Sequence, residues 1–377
     1  MYPNTENQEA LEVIARLNER THLEQTNVGG NRTIIIHKGY ASKHLFHIEK
    51  FVQDIEKGWE GGFIEEVTRY GGVKKIRELY LGKRYYRLLN DWIERYSDVH
   101  SYSSRVEAFY DVCKELCLIG EYPFSFGEPN EFLDADGMQY MQLFNVLIEQ
   151  VRERCQSREF KERERLRSAN AERNKRNVLA MAEAMFEVKG RWLILSLTLR
   201  YKPEFRGEIT LEAIQEHRDR FFAARRFNKL MSGIRNYVWT IEQGEKTGLH
   251  LHVILFYSPD SNHDEFIARQ IGGYWVDTVA GGKGDYWNSN DGRRKREYDK
   301  RGHGVGVGQI NWDDDSKRQA LRKNLVYLAK AQQYVMIRGA ERIRTFDMGQ
   351  VPQKVKSGRP RADSGMRLSG IDGVAAG

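Results

Sequence analysis

The sequence predicts an α+β protein: a central antiparallel β-sheet flanked by helices, preceded by a mainly helical N-terminal domain. Three observations carry this. "YVWTIEQ" and "LHLHVILFY" are strand-like runs joined by the short Gly-bounded connection "GEKTG", which reads as a hairpin. Segments with apolar steps of three and four stand before, between and after the strand-like runs. The nearly all-polar run "RERCQSREFKERERLRSANAERNKRN", from about residue 152 to 177, is too poor in apolar residues for a core and divides the chain.

Taken in order, residues 1–151 read as mainly helical. "LFHIEKFVQDIEKGWEGGFIEEV" and "MQYMQLFNVLIEQVRERC" have helical apolar spacing. His37, His44 and His47 have no acidic or sulfur partner at ligand spacing, so core or surface roles are expected. "GKRYYRLLNDWIERY" reads as a solvated amphipathic helix or a DNA contact, and no chemical constellation stands out in this half. Residues 152–182 are a charged helical linker. Residues 183–345 hold the sheet. In "RWLILSLTLRY", Leu193, Leu195, Leu197 and Leu199 share one face, and Trp192, Ile194, Ser196, Thr198 and Arg200 the other. Thr210 is placed to cap the helix "LEAIQEHRDRFFAARRFNKLMSGIRN". After the hairpin come a helix around "HDEFIARQIGGYW", a long Gly- and charge-rich loop containing "RRKREYDKRGHG", and a short strand in "VGVGQINW". A long helix, "DDDSKRQALRKNLVYLAKAQQYVMIRG", opens on aspartates and is expected to close at Gly339. Residues 346–377 are rich in Gly, Ser, Pro and Arg and are expected to be a disordered basic tail.

The composition narrows the function class. The 377 residues allow about two domains. Net charge is +7 and the isoelectric point about 9.1, which draws polyanions, nucleic acid first among them. No apolar run of about 18 residues suggests a membrane span, and the start of the sequence lacks the basic-then-apolar grammar of a secretory signal. Three cysteines, Cys113, Cys117 and Cys155, suggest no disulfide framework and point to a reducing cytoplasm.

The chemistry centres on "GLHLHVILF". His250 and His252, two apart on a strand, project to one face. Ten histidines in 377 residues give roughly 0.3 such triplets by chance, so the triplet alone is weak. If the hairpin is centred on Lys246, Glu242 faces His250 and Thr240 faces His252; a slip by one presents Gln243 instead. Two imidazoles and a carboxylate with open positions suit a divalent cation that also takes substrate oxygens, Mg²⁺ or Mn²⁺ for a phosphate substrate. The alternative is a pair of core histidines bonded to backbone. On the last helix, Leu321, Leu325, Leu328 and Val335 form an apolar stripe, while Tyr327, Lys330 and Tyr334 lie off it. Free phenol has a pKa near 10 and needs activation to act as a nucleophile. A cation on the scissile phosphate, and Lys330 one turn from Tyr327, supply it. Attack by Tyr327 would leave a DNA 5′ end on tyrosine and free a 3′-OH. No P-loop is present.

With "HLH" on one strand, "LTL" on an earlier one and "YLAK" on a later helix, residues 185–345 resemble the HUH endonucleases, which include rolling-circle replication initiators, plasmid relaxases and related transposases. The order resembles the inovirus-type replication proteins of filamentous phages and prophages. The resemblance implies metal ligands at His250, His252 and Glu242, a nucleophile at Tyr327 assisted by Lys330, and a second tyrosine, Tyr334, in either a second strand transfer or DNA stacking. It also implies single-stranded or melted origin DNA as partner, a host helicase and polymerase, and the bacterial cytoplasm as the place of action. Basic segments fit it: Arg225 and Arg226 before the hairpin, and Arg293, Arg294, Lys295 and Arg296 after it, are expected to contact DNA phosphates, with Tyr286, Trp287 or Tyr298 stacking on bases. The competing readings are a relaxase or transposase with the same chemistry and a non-catalytic DNA-binding regulator. A cupin-type metal enzyme lacks its expected carboxylate, because Val253 to Phe256 are apolar.

Overall fold

The computed structural model describes residues 23–28, 31–36, 42–59, 61–67, 74–96, 98, 100–122, 124–133, 137–244, 248–300, 302–330, 335–337 and 344–352. It is a mixture of helices and antiparallel strands.

The N-terminal part combines helices with short strand pairs. β1 (Leu23–Val28) pairs with β2 (Asn31–Ile36). After α1 (Ser42–Glu56) come β3 (Phe63–Val67) and β4 (Lys74–Glu78), a second antiparallel pair. Then follow α2 (Tyr80–Tyr85), α3 (Leu89–Glu94), β5 (His100–Tyr102), α4 (Ser104–Glu115) and α5 (Tyr140–Gln156). The expectation of helices was met here, but the strand pairs were missed, because short two-stranded pieces have too few alternations to register as a period. An aromatic core holds the part together. Phe51 lies 5.1 Å from Tyr85, 5.7 Å from Trp92 and 6.0 Å from Phe144, centroid to centroid. Cys113 is buried, whereas Cys117 lies past the end of α4 and is exposed.

α6 (Arg158–Val188) is one long helix opened by a Ser157 side-chain cap. Its polar first half is not simply solvated. Arg163 and Arg167 both pair with Glu107 of α4, and Glu164 pairs with Arg105. Its second half turns apolar, and Val178, Met181, Met185 and Phe186 enter the core beneath the main sheet.

That sheet is antiparallel throughout, in the order β10-β6-β8-β7-β12, with β9 also on β6. It is built from β6 (Arg191–Tyr201), β7 (Ile234–Gly244), β8 (Gly248–Tyr257), β9 (Gly284–Asn288), β10 (Gly308–Asn311) and β12 (Phe346–Met348). α7 (Leu211–Ala223), capped by the Thr210 hydroxyl, and α8 (Asp264–Tyr274) pack on the leucine face. α9 (Gly292–Lys300) follows β9. α6 and α10 (Asp315–Lys330) cover the other face, with Ile194, Val238, Ile254 and Phe256 beneath them. The predicted division of β6 into two faces is therefore the observed one.

Further expectations need correction. The charged stretch after α8 is not one loop: Gly284–Asn288 closes onto the outer edge of β6, and "GRRKREYDK" is helical. The last helix does not run to Gly339. Val335–Ile337 is instead a strand, β11, paired with β5, as its two β-branched residues favour. The tail does not begin as disorder at 346, because β12 pairs with β7; residues 353–377 lie outside the described residues.

Candidate metal centre

The hairpin register is the one centred on Lys246. Glu242 faces His250, Thr240 faces His252 and Gly244 faces Gly248. Gly248 adopts φ +63°, a conformation that residues with a side chain rarely enter, and so suits the start of β8. Strand alternation then sends both imidazoles and the Glu242 carboxylate to the face covered by α10.

The three groups converge. His252 Nε2 lies 3.1 Å from Glu242 Oε2, His250 Nε2 lies 3.8 Å from the same oxygen, and the two Nε2 atoms are 3.1 Å apart. Their rings meet at 88°. The far nitrogens are anchored. His250 Nδ1 donates to the Gly248 carbonyl at 2.9 Å, since a carbonyl only accepts, and in the neutral ring this leaves the Nε2 lone pair aimed at the site. His252 Nδ1 lies 2.8 Å from Thr198 Oγ1 on β6. Such partners fix ring orientation in metal-binding histidines.

This group can hold a metal ion. Ligand atoms each about 2.1 Å from one cation stand about 3.0–3.8 Å apart over ordinary bond angles, and the spacings here fall in that range. Without a cation or shared protons, the lone pairs of three acceptors would confront one another. Glu242 Oε1 is also buried without a hydrogen-bond partner, which is costly for a carboxylate oxygen unless a further ligand satisfies it. Burial alone would push the Glu242 carboxyl up; the charge of His252 and hydrogen bonds from both histidines overcome it and hold the group well below the usual carboxylate range.

Tyr327 completes the site from α10. Its hydroxyl donates to Glu242 Oε2 at 3.2 Å, and its ring stands edge-on to His252 with centroids 6.3 Å apart. It is 1% exposed. Lying off the leucine stripe did not make it a surface residue, because α10 packs against both α6 and the sheet, and Tyr327 reaches the sheet. Lys330 is the last residue of α10, and its side chain lies outside the described residues, as does Tyr334.

The predicted DNA contacts divide. Arg225 and Arg226 lie with Arg235, Phe222 and Tyr237 around a groove of about 600 Å³. That groove sits at the Ile234 end of β7, some eight residues or roughly 26 Å of strand from Glu242. These arginines are therefore not brought to the metal centre. On α9, Arg293 and Arg296 are exposed, Lys295 is paired with Asp264, and the Arg294 guanidinium lies over the Trp287 ring. Burial pushes Arg294 down to about 10. Trp287 is 8% exposed beneath it and offers no free ring face to a base, while Tyr286 is half-buried and packs against Gly272. Sequence reasoning missed the role of Thr198, although its place on the polar face of β6 was visible.

No protein-family model, no curated protein and no solved structure matches the chain.

Proposed function

We propose that the chain is a metal-dependent DNA strand nickase and transferase of the HUH endonuclease kind, acting in rolling-circle replication initiation on single-stranded or melted origin DNA. The observation that carries this reading is the meeting, at one carboxylate, of two histidines from one strand and a tyrosine hydroxyl from a later helix.

In this reading His250, His252 and Glu242 hold Mg²⁺ or Mn²⁺. The bound ion would polarise the scissile phosphate and lower the barrier to attack. The protein's own residues do the rest. Thr198 and the Gly248 carbonyl orient the imidazoles. The Tyr327 oxygen attacks phosphorus, forms a 5′-phosphotyrosine bond and expels the 3′ oxygen of the neighbouring nucleotide as a free 3′-OH. The Tyr327 hydroxyl gives up its proton as its oxygen attacks and the departing 3′ oxygen takes one up, so the exchange is proton-neutral; the hydrogen bond to Glu242 Oε2 orients the hydroxyl. Lys330 follows one turn later on the helix to offset developing charge. Reversal with a new 3′-OH rejoins the strand without a nucleotide cofactor; a host helicase unwinds the duplex and a polymerase extends the freed 3′ end.

One observation favours a second reading. Tyr327 is 1% exposed and both histidines are under 5%. A strand of DNA reaches the hydroxyl only after covering side chains move, whereas a non-catalytic DNA-binding regulator needs no access. The two readings separate on a denaturing gel of labelled single-stranded origin-region oligonucleotides with Mn²⁺. The nickase reading expects a protein–DNA adduct that disappears in EDTA and in Tyr327→Phe. DNA binding with neither nick nor adduct in the wild type would favour the regulator.

A further inference from the structure

The sheet face that carries the histidines holds more than the metal centre. Along one row of the sheet, Asp285 of β9 pairs with Arg200 of β6, and on the next two strands His250 pairs with Glu242. β6 and β8 are in register to Leu199↔Leu251, so the next residue along β6, Arg200, comes alongside His250, on the side away from Glu242. Thr198, two residues earlier on the same face, already touches His252. Arg200 thus lies one strand from the metal centre.

Its environment is unusual for an arginine. Arg200 is 3% exposed. Nε donates to Asp285 Oδ2 at 2.7 Å, but Nη2 is buried without any hydrogen-bond partner. Thr240 Oγ1 and Glu242 Oε1, on the same sheet face, are buried without partners too. A second guanidinium lies on the same sheet face: Arg294 stands over Trp287, which pairs with Thr198, two residues from Arg200 on β6. Two guanidiniums beside a site built for a divalent cation repel one another and the cation. Asp285, itself one-third exposed, pairs with Arg200, while Asp291 and Glu297 act on Arg294. What Arg200 Nη2 lacks is an acceptor, and an anion with several acceptor oxygens can take the spare N–H of a planar guanidinium fork while facing a metal.

We propose that Arg200, with Arg294 as a second cation, forms a phosphate site beside the metal centre, and that the phosphodiester of the bound strand occupies it. The identity of the occupant as DNA rests on the nickase reading; the presence of a phosphate site does not. Arg200 acts here as a positioning residue: Asp285 fixes the plane of its fork, and Nη2 holds one non-bridging oxygen so that phosphorus stays within reach of Tyr327.

The test is thermal unfolding of the full chain, wild type and Arg200→Gln, titrated with inorganic phosphate against chloride of equal ionic strength, once in EDTA and once with Mn²⁺. Wild type is expected to gain stability saturably from phosphate in both media and to gain separately from Mn²⁺. Arg200→Gln is expected to keep the Mn²⁺ gain and to need about tenfold more phosphate, the scale of one lost charged hydrogen bond. A variant with the wild-type phosphate response, or one that loses the Mn²⁺ and phosphate gains together, makes Arg200 a structural partner of Asp285 and overturns the proposal. So does a wild type that ignores phosphate in both media. A wild type that gains from phosphate but not from Mn²⁺ sinks the metal reading and leaves the phosphate site standing. If Arg200→Gln does not fold, Arg200→Lys replaces it. It keeps the charge but lacks the second nitrogen, so a several-fold weaker phosphate response supports the site and an unchanged one overturns it.

Discussion

Two regions of this molecule bury carboxylates, and they do so differently. In the N-terminal core, Glu49 Oε1 accepts from Arg105 and Oε2 from the Ser103 hydroxyl; Asp54 Oδ1 accepts from Lys50 and Oδ2 from the Tyr85 hydroxyl. Every oxygen of that pair has a permanent donor. On the main sheet, Glu242 crowds His250, His252 and Tyr327 onto Oε2 and leaves Oε1 bare. The first pattern is what stability requires of a buried charge. The second leaves acceptors and donors waiting for a ligand, and such unsatisfied convergence separates a site from a strut when both use the same residue types.

The largest expected effect is on stability. Glu49→Ala removes a carboxylate from buried contact with Arg105 and Ser103. Arg105 keeps Glu56 and Glu164, so the loss should sit near the low end for a broken buried pair, about 3 kcal/mol in denaturant unfolding, with Mn²⁺ affinity unchanged. A loss of metal binding in this variant would mean the two regions are not independent. Conversely, Glu242→Ala should cost at least about 100-fold in Mn²⁺ affinity by isothermal titration, beyond the 10–100-fold typical of orienting partners. Unfolding of its metal-free form should change far less than in Glu49→Ala.

A finer probe is Thr198→Val. It removes the hydroxyl that meets His252 Nδ1 while keeping the β-branched shape, and about tenfold weaker Mn²⁺ binding is expected, with the fold intact. No change would place Thr198 outside the site. The smallest effect is in acid. For Asp54, burial pushes the carboxyl up, but the Tyr85 and Lys50 hydrogen bonds and nearby lysine charge outweigh it, so the folded pKa lies below the ordinary 3.8. A depressed acid pKa gives stability that is present above 3.8 and is lost as pH falls from there through the folded value. Asp54→Asn should therefore flatten the unfolding free energy against pH below 3.8, as followed by circular dichroism at fixed denaturant. An unchanged slope would contradict the assignment.

Much of the metal centre was legible in the sequence, because period two and a short Gly-bounded connection leave few registers for the hairpin. Glu242 opposite His250 follows from counting back from Lys246. The surroundings were harder to read. Tyr327 lies off the leucine stripe and is buried all the same, since a helix packed between α6 and the sheet has two apolar faces and a single-stripe reading allows one. The partnership of Arg200 with Asp285 joins residues 85 apart, and nothing local announces it. β9 was hidden in a Gly-rich charged stretch because its strand identity comes from pairing with β6 rather than from its own alternation. The end of α10 was misjudged because Tyr334 to Ile337 continues the helical spacing while its residue types favour a strand.

The central claim is that Tyr327 forms a covalent bond to DNA phosphate. It is tested most directly by incubating the full chain with Mn²⁺ and a single-stranded origin-region oligonucleotide, digesting the protein, and locating any nucleotide-bearing peptide by mass spectrometry. A phosphotyrosine link at Tyr327 that requires Mn²⁺ and is absent from Tyr327→Phe is expected. A nucleotide on another residue, or cleaved DNA with no covalent adduct, would contradict it.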